Sequence, residues 1–272
     1  MTTPLPPPTI AVPAIAATVV LLRDGIEGME VLLVVRHHAI DFASGAAVFP
    51  GGKVAVSDRD PRLLPRICGM AGLQDEQVAI RVAAIRETYE ESGLLLARQD
   101  GDQSLLGSPR LGAVHERWKE AIASGGGAFV DMVCEEGLQI AGDVLQPFAH
   151  WVTPEHSPKR FDTHFFIAAA PVEQLARHDG FEAVDSFWIR PLDALRECEQ
   201  RRRTLIFPTL SNLALLAQSA DVTSAIDAAR QRPACRIQPW LVERPNGKRV
   251  PMLPPEARYP TLSDALMDQI AR

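Results

Sequence analysis

The fold of this chain is decided by the stretch Arg86-Glu87-Thr88-Tyr89-Glu90-Glu91-Ser92-Gly93-Leu94. It closes a longer segment, Asp75–Glu91, whose apolar residues recur with helical periodicity. Asp75 is a suitable N-cap, because its short side chain can accept a hydrogen bond from the first turn. Gly93 is placed to end the helix, because glycine adopts the left-handed conformation without strain. The sequence therefore predicts a helix over Asp75–Glu91.

This helix has two chemically different sides. At about 100° per residue, one side is apolar and is expected to face the core. That side consists of Val78, Val82, Ile85 and Tyr89. Glu87, Glu90 and Glu91 gather on the opposite side, because side chains three and four positions apart are neighbours on a helix. The helix is therefore predicted to have a core side and a carboxylate side.

The three glutamates indicate a bound cation. Like charges at these spacings cost roughly 0.2–0.5 kcal/mol per pair on an exposed helix. A divalent cation reverses the sign of that interaction, and Mg²⁺ and Mn²⁺ both prefer hard oxygen ligands. The alternative interpretation is an ordinary solvated helix face, on which glutamates at this spacing are common.

Two further features precede the helix. Phe49-Pro50-Gly51-Gly52 is predicted to form a loop whose glycines allow tight backbone geometry. Gly52 is followed after five residues by Asp58, and 27 residues separate Asp58 from Arg86. Together with the helix, these residues resemble the Nudix box, G-x5-E-x7-R-E-U-x-E-E-x-G-U, in which U is an apolar residue. The longer spacing interrupts the box here, and Asp58 stands where the box has Glu.

The second half of the box carries most of the resemblance. Its matching residues are Arg86, Glu87, Glu90, Glu91, Gly93 and Leu94, with Thr88 at an apolar position. Two later segments, Trp151–Glu155 and Arg160–Phe166, resemble the Nudix proteins grouped with the mammalian type 19 enzymes, which hydrolyse coenzyme A and its esters. An interrupted box is typical of that group. The resemblance extends over about residues 14–215.

The resemblance implies roles for the residues of the helix. Glu87, Glu90 and Glu91 would bind Mg²⁺ or Mn²⁺, and Arg86 would orient these glutamates by ion pairing. Such a cation neutralises phosphates locally. A protein with a formal net charge of -6 can therefore act on an anionic substrate.

The resemblance also implies roles for residues outside the helix. Gly51 and Gly52 would let the loop backbone approach metal and phosphate. Glu182 lies six residues before Trp188, a spacing at which many Nudix proteins carry a further acidic ligand or base. Either Glu90 or Glu182 would then accept the proton from the attacking water. For Glu182, an exposed loop glutamate is the alternative.

Residues upstream of the box favour coenzyme A as the substrate. Leu32–Arg36, Gly45 and Phe49–Gly52 keep the spacing of a motif of coenzyme A diphosphatases, L-L-T-x-R-[SA]-x3-R-x3-G-x3-F-P-G-G. Arg36 would then contact a phosphate of the substrate, with a strand-end surface arginine as the alternative. The sequence departs from the motif at Val34, His37 and Asp41, of which the last replaces an arginine.

The predicted activity is metal-dependent hydrolysis of a phosphoanhydride bond. The favoured substrate is coenzyme A or acyl-coenzyme A, which would give 3′,5′-ADP and 4′-phosphopantetheine or its acyl form. One alternative is hydrolysis of ADP-ribose, NADH or another nucleoside diphosphate derivative. The other alternative is a non-catalytic Nudix-fold module that binds a nucleotide or a protein.

Composition narrows the classes of partner. The net charge of -6 does not favour a nucleic-acid binder, and no uninterrupted apolar run of about 18 residues suggests a membrane span. The four cysteines form no CxxC pair and the histidines, His37 and His38 apart, are scattered, so neither residue type predicts a metal site. We expect a cytoplasmic protein with a small nucleotide-derived substrate. A homodimer is the candidate assembly, although the sequence leaves the oligomeric state open.

The fold class is predicted to be α+β, an α/β/α Nudix sandwich with a mixed β-sheet between helices. Residues 1–13 are expected to be extended, 14–231 to form the Nudix domain, and 232–272 to form a Pro-rich extension. Helical insertions at about 59–75 and 105–142 are expected to form a cap beside the catalytic face. Strands are predicted at Ile15–Leu22, Glu30–Arg36, Leu94–Ala97, Val144–Val152, Phe161–Ala170 and Ser186–Ile189. Further helices are predicted at 111–123, 191–201, 208–218 and 221–231, and a hairpin turn at 245–248.

Overall fold

One mixed β-sheet organises the chain. The computed structural model describes residues 11–35, 45–174, 186–232, 234–245 and 247–271. The strands are β1 (Ala14–Gly25), β2 (Gly28–Val35), β3 (Ala47–Val48), β4 (Gly51–Lys53), β5 (Ala97–Gln99), β6 (Leu138–Ile140), β7 (Gln146–Val152), β8 (Phe161–Ala169), β9 (Ser186–Ile189), β10 (Arg236–Ile237), β11 (Trp240–Glu243) and β12 (Arg249–Met252). The helices are α1 (Asp75–Ser92), α2 (Ser108–Ser124), α3 (Ala128–Glu135), α4 (Pro191–Glu199), α5 (Phe207–Leu216), α6 (Val222–Gln231) and α7 (Asp264–Ile270).

The main sheet is built around β1. Its strand order is β10-β7-β8-β1-β2-β3, and β4 and β9 pair with β1 and β2 respectively. The pairs β1–β8 and β7–β10 are parallel, whereas the other pairs of this sheet are antiparallel. The predicted mixed sheet is therefore confirmed. Strand β1 pairs with β4, which contains Gly51, and also with β8.

Strand β1 shows why helices cover both faces of the sheet. Val19 and Leu21 belong to one core cluster, together with residues of α1, α2 and α3. Val20 and Leu22 belong to a second cluster, together with residues of α4, α5, α6 and α7. All four side chains are fully buried, since successive residues of a strand point to opposite faces. This arrangement is the predicted α/β/α sandwich.

Helix α1 follows the prediction closely but is more deeply buried. Its N-cap is Gln74, one residue before the predicted Asp75, which occupies the first turn instead. Gly93 ends the helix with a φ of 73°, and its N–H donates to the carbonyl of Tyr89 at 2.8 Å. Burial extends beyond the predicted apolar stripe, since the buried residues also include Ala79, Ala83 and Thr88. Tyr89 contacts both His115 of α2 and Phe129 of α3.

The insertions differ in structure. The segment predicted at 105–142 forms α2, α3 and β6, and three glycines at 125–127 separate the two helices. Their contacts with Tyr89 place α2 and α3 on the apolar side of α1, rather than over its glutamates. The earlier insertion, at about 59–75, begins at the end of the 3-10 turn Val56–Arg59, contains a second 3-10 turn, Pro61–Arg66, and leads into α1.

The prediction of a strand over Leu94–Ala97 was wrong. Leu94, Leu95 and Leu96 are buried, but they form a connection, and the strand β5 begins only at Ala97. The backbone of Leu95 bonds to the side chain of Gln174, which accepts from its N–H and donates to its carbonyl, each at 3.0 Å. A buried amide thus replaces a neighbouring strand as the partner of this backbone.

The C-terminal residues pack onto the second face of the sandwich. Strand β10 pairs with β7 in the main sheet, and Leu266 of α7 is part of the second core cluster. The hairpin β11–β12 turns at the predicted position, where Gly247 has a φ of 79°. Asn246 of that turn lies outside the described residues. Among the helices that the structure describes, none is long and apolar enough to cross a membrane.

Replacing Gln174 with leucine should destabilise the fold. Gln174 is 1% exposed, and its amide also donates to the carbonyl of Leu106 at 2.9 Å. Leucine has a similar volume but leaves the N–H of Leu95 and the carbonyl of Leu106 without the Gln174 amide. The carbonyl of Leu95 keeps the N–H of Ala97 as a donor. This loss should lower the free energy of unfolding by about 2–4 kcal/mol. Urea denaturation measures this loss. The exposed Gln103→Leu is the control and should change stability by less than about 0.5 kcal/mol, and equal effects would contradict the argument.

Candidate functional site

Arg86 of α1 is at the centre of the site. Its side chain is 9% exposed, and its Nε and Nη2 donate to the two carboxylate oxygens of Asp58 at 2.7 and 3.0 Å. Nη1 donates to Glu87 at 2.8 Å and to Glu90 at 3.0 Å. Nη2 also donates to the carbonyl of Lys53 at 3.0 Å. A guanidinium has five N–H groups, so every donor of Arg86 has an acceptor.

These contacts fix the charge state of Arg86. Burial acts to lower its pKa, but the hydrogen bonds to Asp58 and the charges of Glu87, Asp58 and Glu90 outweigh burial and raise the pKa above its ordinary value. Arg86 therefore stays protonated and holds Glu87 and Glu90 side by side. Arg86 thus forms ion pairs with Glu87 and Glu90, two of the three glutamates that the resemblance expects it to orient.

Asp58 anchors the arginine, a role that the sequence left open. Its side chain is 1% exposed, and it also accepts the N–H of Ala55 at 2.7 Å. The 3-10 turn Val56–Arg59 turns its carboxylate inward, against Arg86. The signal in the sequence was the acidic residue at the box position after Gly52. Because of the inserted residues, the sequence did not show that Asp58 lies next to Arg86 in the fold.

Gly51 and Gly52, predicted to lie in a loop, begin strand β4 instead, because they pair with residues of β1. Both glycines of this segment, the glycine loop, lie against the glutamates of α1. The N–H of Gly51 donates to Glu91 at 2.9 Å. A Cβ at Gly52 would lie 2.4 Å from the carboxyl carbon of Glu87, and one at Gly51 would lie 2.4 Å from the carbonyl oxygen of Ala17. Any larger residue would displace the loop or the carboxylate, so glycine is required for this close approach.

The charges of the site do not balance without a cation. Asp58, Glu87, Glu90 and Glu91 carry four negative charges against the one positive charge of Arg86. A divalent cation with a preference for oxygen ligands fits this excess of three negative charges. Among the described residues, the oxygens of the three glutamates are not all within 4.8 Å of one another. Binding one shared ion would therefore require rotation of these side chains.

Glu90 is chemically distinct within the group. Burial raises the pKa of its carboxyl above the ordinary value of 4.5, and the nearby charges of Glu87 and Asp58 act in the same direction, whereas Arg86 opposes them. Glu90 thus binds a proton at a higher pH than an ordinary glutamate. This property suits a group that accepts a proton.

Two predicted site residues are not located by the structure. Arg36 and Glu182 both lie outside the described residues, as do His37 and Asp41 of the upstream motif. The structure thus brings together Arg86, Glu87, Glu90, Glu91, Gly51 and Gly52 from the predicted set, and it adds Asp58.

Comparison with known proteins identifies related sequences. The model of the NUDT19 Nudix domain matches residues 69–216, more than half of the chain. The acyl-coenzyme A diphosphatase NUDT19 of Xenopus laevis is 26% identical over 71% of this chain, which spans 61% of that protein. The NUDT19 protein of Gallus gallus is 25% identical over 78% of this chain and 67% of its own length. A putative nudix hydrolase 7 of Caenorhabditis elegans is 28% identical, and this chain spans 57% of it.

A solved structure supports the fold. A NUDIX hydrolase from Alicyclobacillus acidocaldarius superposes with a TM-score of 0.63 at 26% identity. The match covers 80% of this chain and 97% of that one. The sandwich is therefore shared over nearly the whole length of that protein.

Replacing Arg86 with lysine should destabilise the protein strongly. Lysine keeps the charge but cannot bond both oxygens of Asp58 and the two glutamates together. Leaving a buried carboxylate partly unpaired should lower the free energy of unfolding by about 3–5 kcal/mol, which urea denaturation measures. The control is Arg62→Lys, because Arg62 is 54% exposed and also bonds two carboxylates. Equal midpoints for the two variants would contradict the central position of Arg86.

Proposed function

This chain belongs to the Nudix hydrolase family, and we propose that it hydrolyses the pyrophosphate bond of a nucleoside-diphosphate-linked substrate with the aid of Mg²⁺ or Mn²⁺. The observation that carries this proposal is the contact between the glutamates of α1 and the glycine loop. Glu91 accepts the N–H of Gly51, and Glu87 lies against Gly52. A pyrophosphate bound at this loop would lie beside the carboxylates that bind the cation.

The residues of the site divide the work of this reaction. When bound, the cation screens the phosphates, lowers the pKa of bound water and stabilises charge on the leaving oxygen. Glu87, Glu90 and Glu91 are the proposed ligands. Arg86 positions Glu87 and Glu90 through its Nη1, and Asp58 holds Arg86 in place.

Glu90 is the described residue best suited to accept the proton of the attacking water. Its carboxylate has a raised pKa and therefore binds a proton more tightly than an ordinary glutamate does, as a general base requires. Glu182 remains the second candidate for this role. The roles of Arg36 as a phosphate contact and of Gly51 and Gly52 as the backbone of the substrate loop complete the proposed site.

Coenzyme A or acyl-coenzyme A is the proposed substrate. Water would attack one phosphorus of the anhydride, form a new P–O bond and break the bond to the bridging oxygen. The products are 3′,5′-ADP and 4′-phosphopantetheine, or its acyl form. Two kinds of observation support this choice, namely the upstream motif around Arg36 and the relatives that are named acyl-coenzyme A diphosphatases.

A substrate panel tests this choice. The purified chain is incubated with Mg²⁺ or Mn²⁺ and with coenzyme A, an acyl-coenzyme A, ADP-ribose or NADH, and the products are separated by chromatography. We expect 3′,5′-ADP from the coenzyme A substrates at the highest kcat/KM. Cleavage of ADP-ribose or NADH without cleavage of coenzyme A would replace the proposed substrate, and no cleavage of any compound would indicate a binding module.

Removing one carboxylate charge tests the role of the glutamates. Glu90→Gln and Glu91→Gln should each lower kcat by at least about 100-fold. Glu90 is the proposed base, and loss of positioned acid–base catalysis costs about 10²–10⁴-fold. Glu91 is a proposed ligand of the cation on which the reaction depends. Thermal unfolding should change little, since both side chains lie at the surface of α1. Glu120→Gln, on the exposed side of α2, is the control and should keep full activity. Full activity of the Glu90 and Glu91 variants would contradict the proposed site.

A further inference from the structure

A second group of ligand-type side chains lies on the sheet. His150 of β7 and His164 of β8 are direct partners in the antiparallel register. Asp162 lies two residues before His164 on β8, so its side chain points to the same face. The spacing of these histidines predicted no metal site, because the strand pairing that joins them is not visible in the sequence.

The three side chains converge on one carboxylate oxygen. The Nε2 of His150 is hydrogen-bonded to Oδ1 of Asp162, and Nε2 of His164 lies 3.8 Å from the same oxygen. The two imidazole rings stack with their centroids 4.0 Å apart. Within the described part of the chain, this is the group of three ligand-type residues whose ligand atoms all lie within 4.8 Å of one another.

This geometry is close to that of a three-ligand metal site. Zinc binds histidine nitrogens at about 2.0–2.1 Å and carboxylate oxygens at about 2.0–2.2 Å. Two ligands of one tetrahedral ion are therefore about 3.3–3.5 Å apart. The ligand atoms all lie within 4.8 Å of one another. Binding one ion would open the hydrogen bond between His150 and Asp162 and turn the stacked rings so that both Nε2 atoms point at the ion. The side chains of His150, Asp162 and His164 are 21%, 25% and 33% exposed, so an ion can enter from one side.

The ligand set favours a different metal from that at the glutamates of α1. Two imidazoles and one carboxylate suit borderline transition metals such as zinc, whereas Mg²⁺ prefers an all-oxygen shell. The two groups are also separated in space. His164 pairs with Ala17 of β1, which pairs in turn with Gly52 of β4, so the backbone of His164 is two strand spacings, about 10 Å, from the glycine that contacts Glu87.

Two neighbouring cations have to be compatible with a bound metal, namely Arg81 of α1, whose charge acts on His164, and Arg236 of β10. Nε of Arg236, on β10, lies 3.9 Å from Oδ2 of Asp162, the oxygen that does not face the histidines. The Arg236 side chain is 55% exposed. It can therefore turn into solvent or keep its contact with Oδ2 while Oδ1 binds an ion.

We propose that His150, Asp162 and His164 form a binding site for one zinc-class divalent cation, with a fourth coordination position open to water or another ligand. The ion would link β7 to β8 by a bond stronger than the hydrogen bond present between His150 and Asp162. Because zinc binding here does not depend on the proposed hydrolase activity, the two proposals can fail separately.

Titration calorimetry of the full chain with Zn²⁺ tests the proposal. A background in which Glu87, Glu90 and Glu91 are all glutamine removes the site on α1. In that background we expect one Zn²⁺ to bind, with release of heat and an increase in thermal stability. Adding His150→Gln and His164→Gln should weaken this binding by at least about 100-fold, since even loss of an outer-shell partner costs about 10–100-fold.

Two further variants distinguish Zn²⁺ binding at the proposed site from binding elsewhere and from loss of folding. His156→Gln removes an exposed histidine on the loop between the same strands and should leave Zn²⁺ binding unchanged. Asp162→Asn keeps the shape of the third ligand, and it should weaken binding even if the double histidine variant is unstable. Unchanged Zn²⁺ affinity in both the histidine and the Asp162 variants, or no Zn²⁺ binding in the glutamine background, would overturn the proposal.

Discussion

The structure depends on one buried ion pair, between Arg86 of α1 and Asp58 of the 3-10 turn Val56–Arg59. Both side chains are almost inaccessible to solvent, and their two hydrogen bonds form a bidentate pair. Such a pair is not retained for stability alone, because removing two charges from water costs several kcal/mol per ion. The other contacts of Arg86 explain the position of the pair. The remaining N–H groups of Arg86 donate to Glu87, Glu90 and the carbonyl of Lys53.

The sandwich supplies the frame for this pair. Strand β1 lies at the centre of the sheet and pairs with β4, so the glycine loop cannot move independently of the core. Helix α1 packs on one face of the sheet, and α2 and α3 contact its apolar side at Tyr89. The carboxylate side is left facing the loop. The fold thus concentrates negative charge beside the glycine loop. A pyrophosphate can bind there only together with a cation, because the carboxylates would otherwise repel it.

How much could be predicted from the sequence depended on whether the signal was local. Helix α1 and strands β1, β2, β7 and β8 were predicted well, because periodicity and capping residues lie within each element. The anchoring role of Asp58 was not predicted, because 27 residues separate it from Arg86 and the pairing exists only after folding. The failure at Leu94–Ala97 has a similar cause, since the partner of that backbone is the distant Gln174. The proximity of His150 and His164 could likewise not be predicted, because it depends on the register of β7 and β8.

The most direct measurement of this account is the affinity for Mn²⁺ of Asp58→Asn compared with the unaltered chain. Asp58 faces Arg86 and the N–H of Ala55, and its carboxylate is almost completely buried. Without its charge, Arg86 would pair more closely with Glu87 and Glu90 and compete with the ion. The account predicts an affinity about 10–100-fold lower, as is usual when a partner of a metal ligand is lost. An unchanged affinity in a fully folded variant would show that the buried pair does not control the cation site.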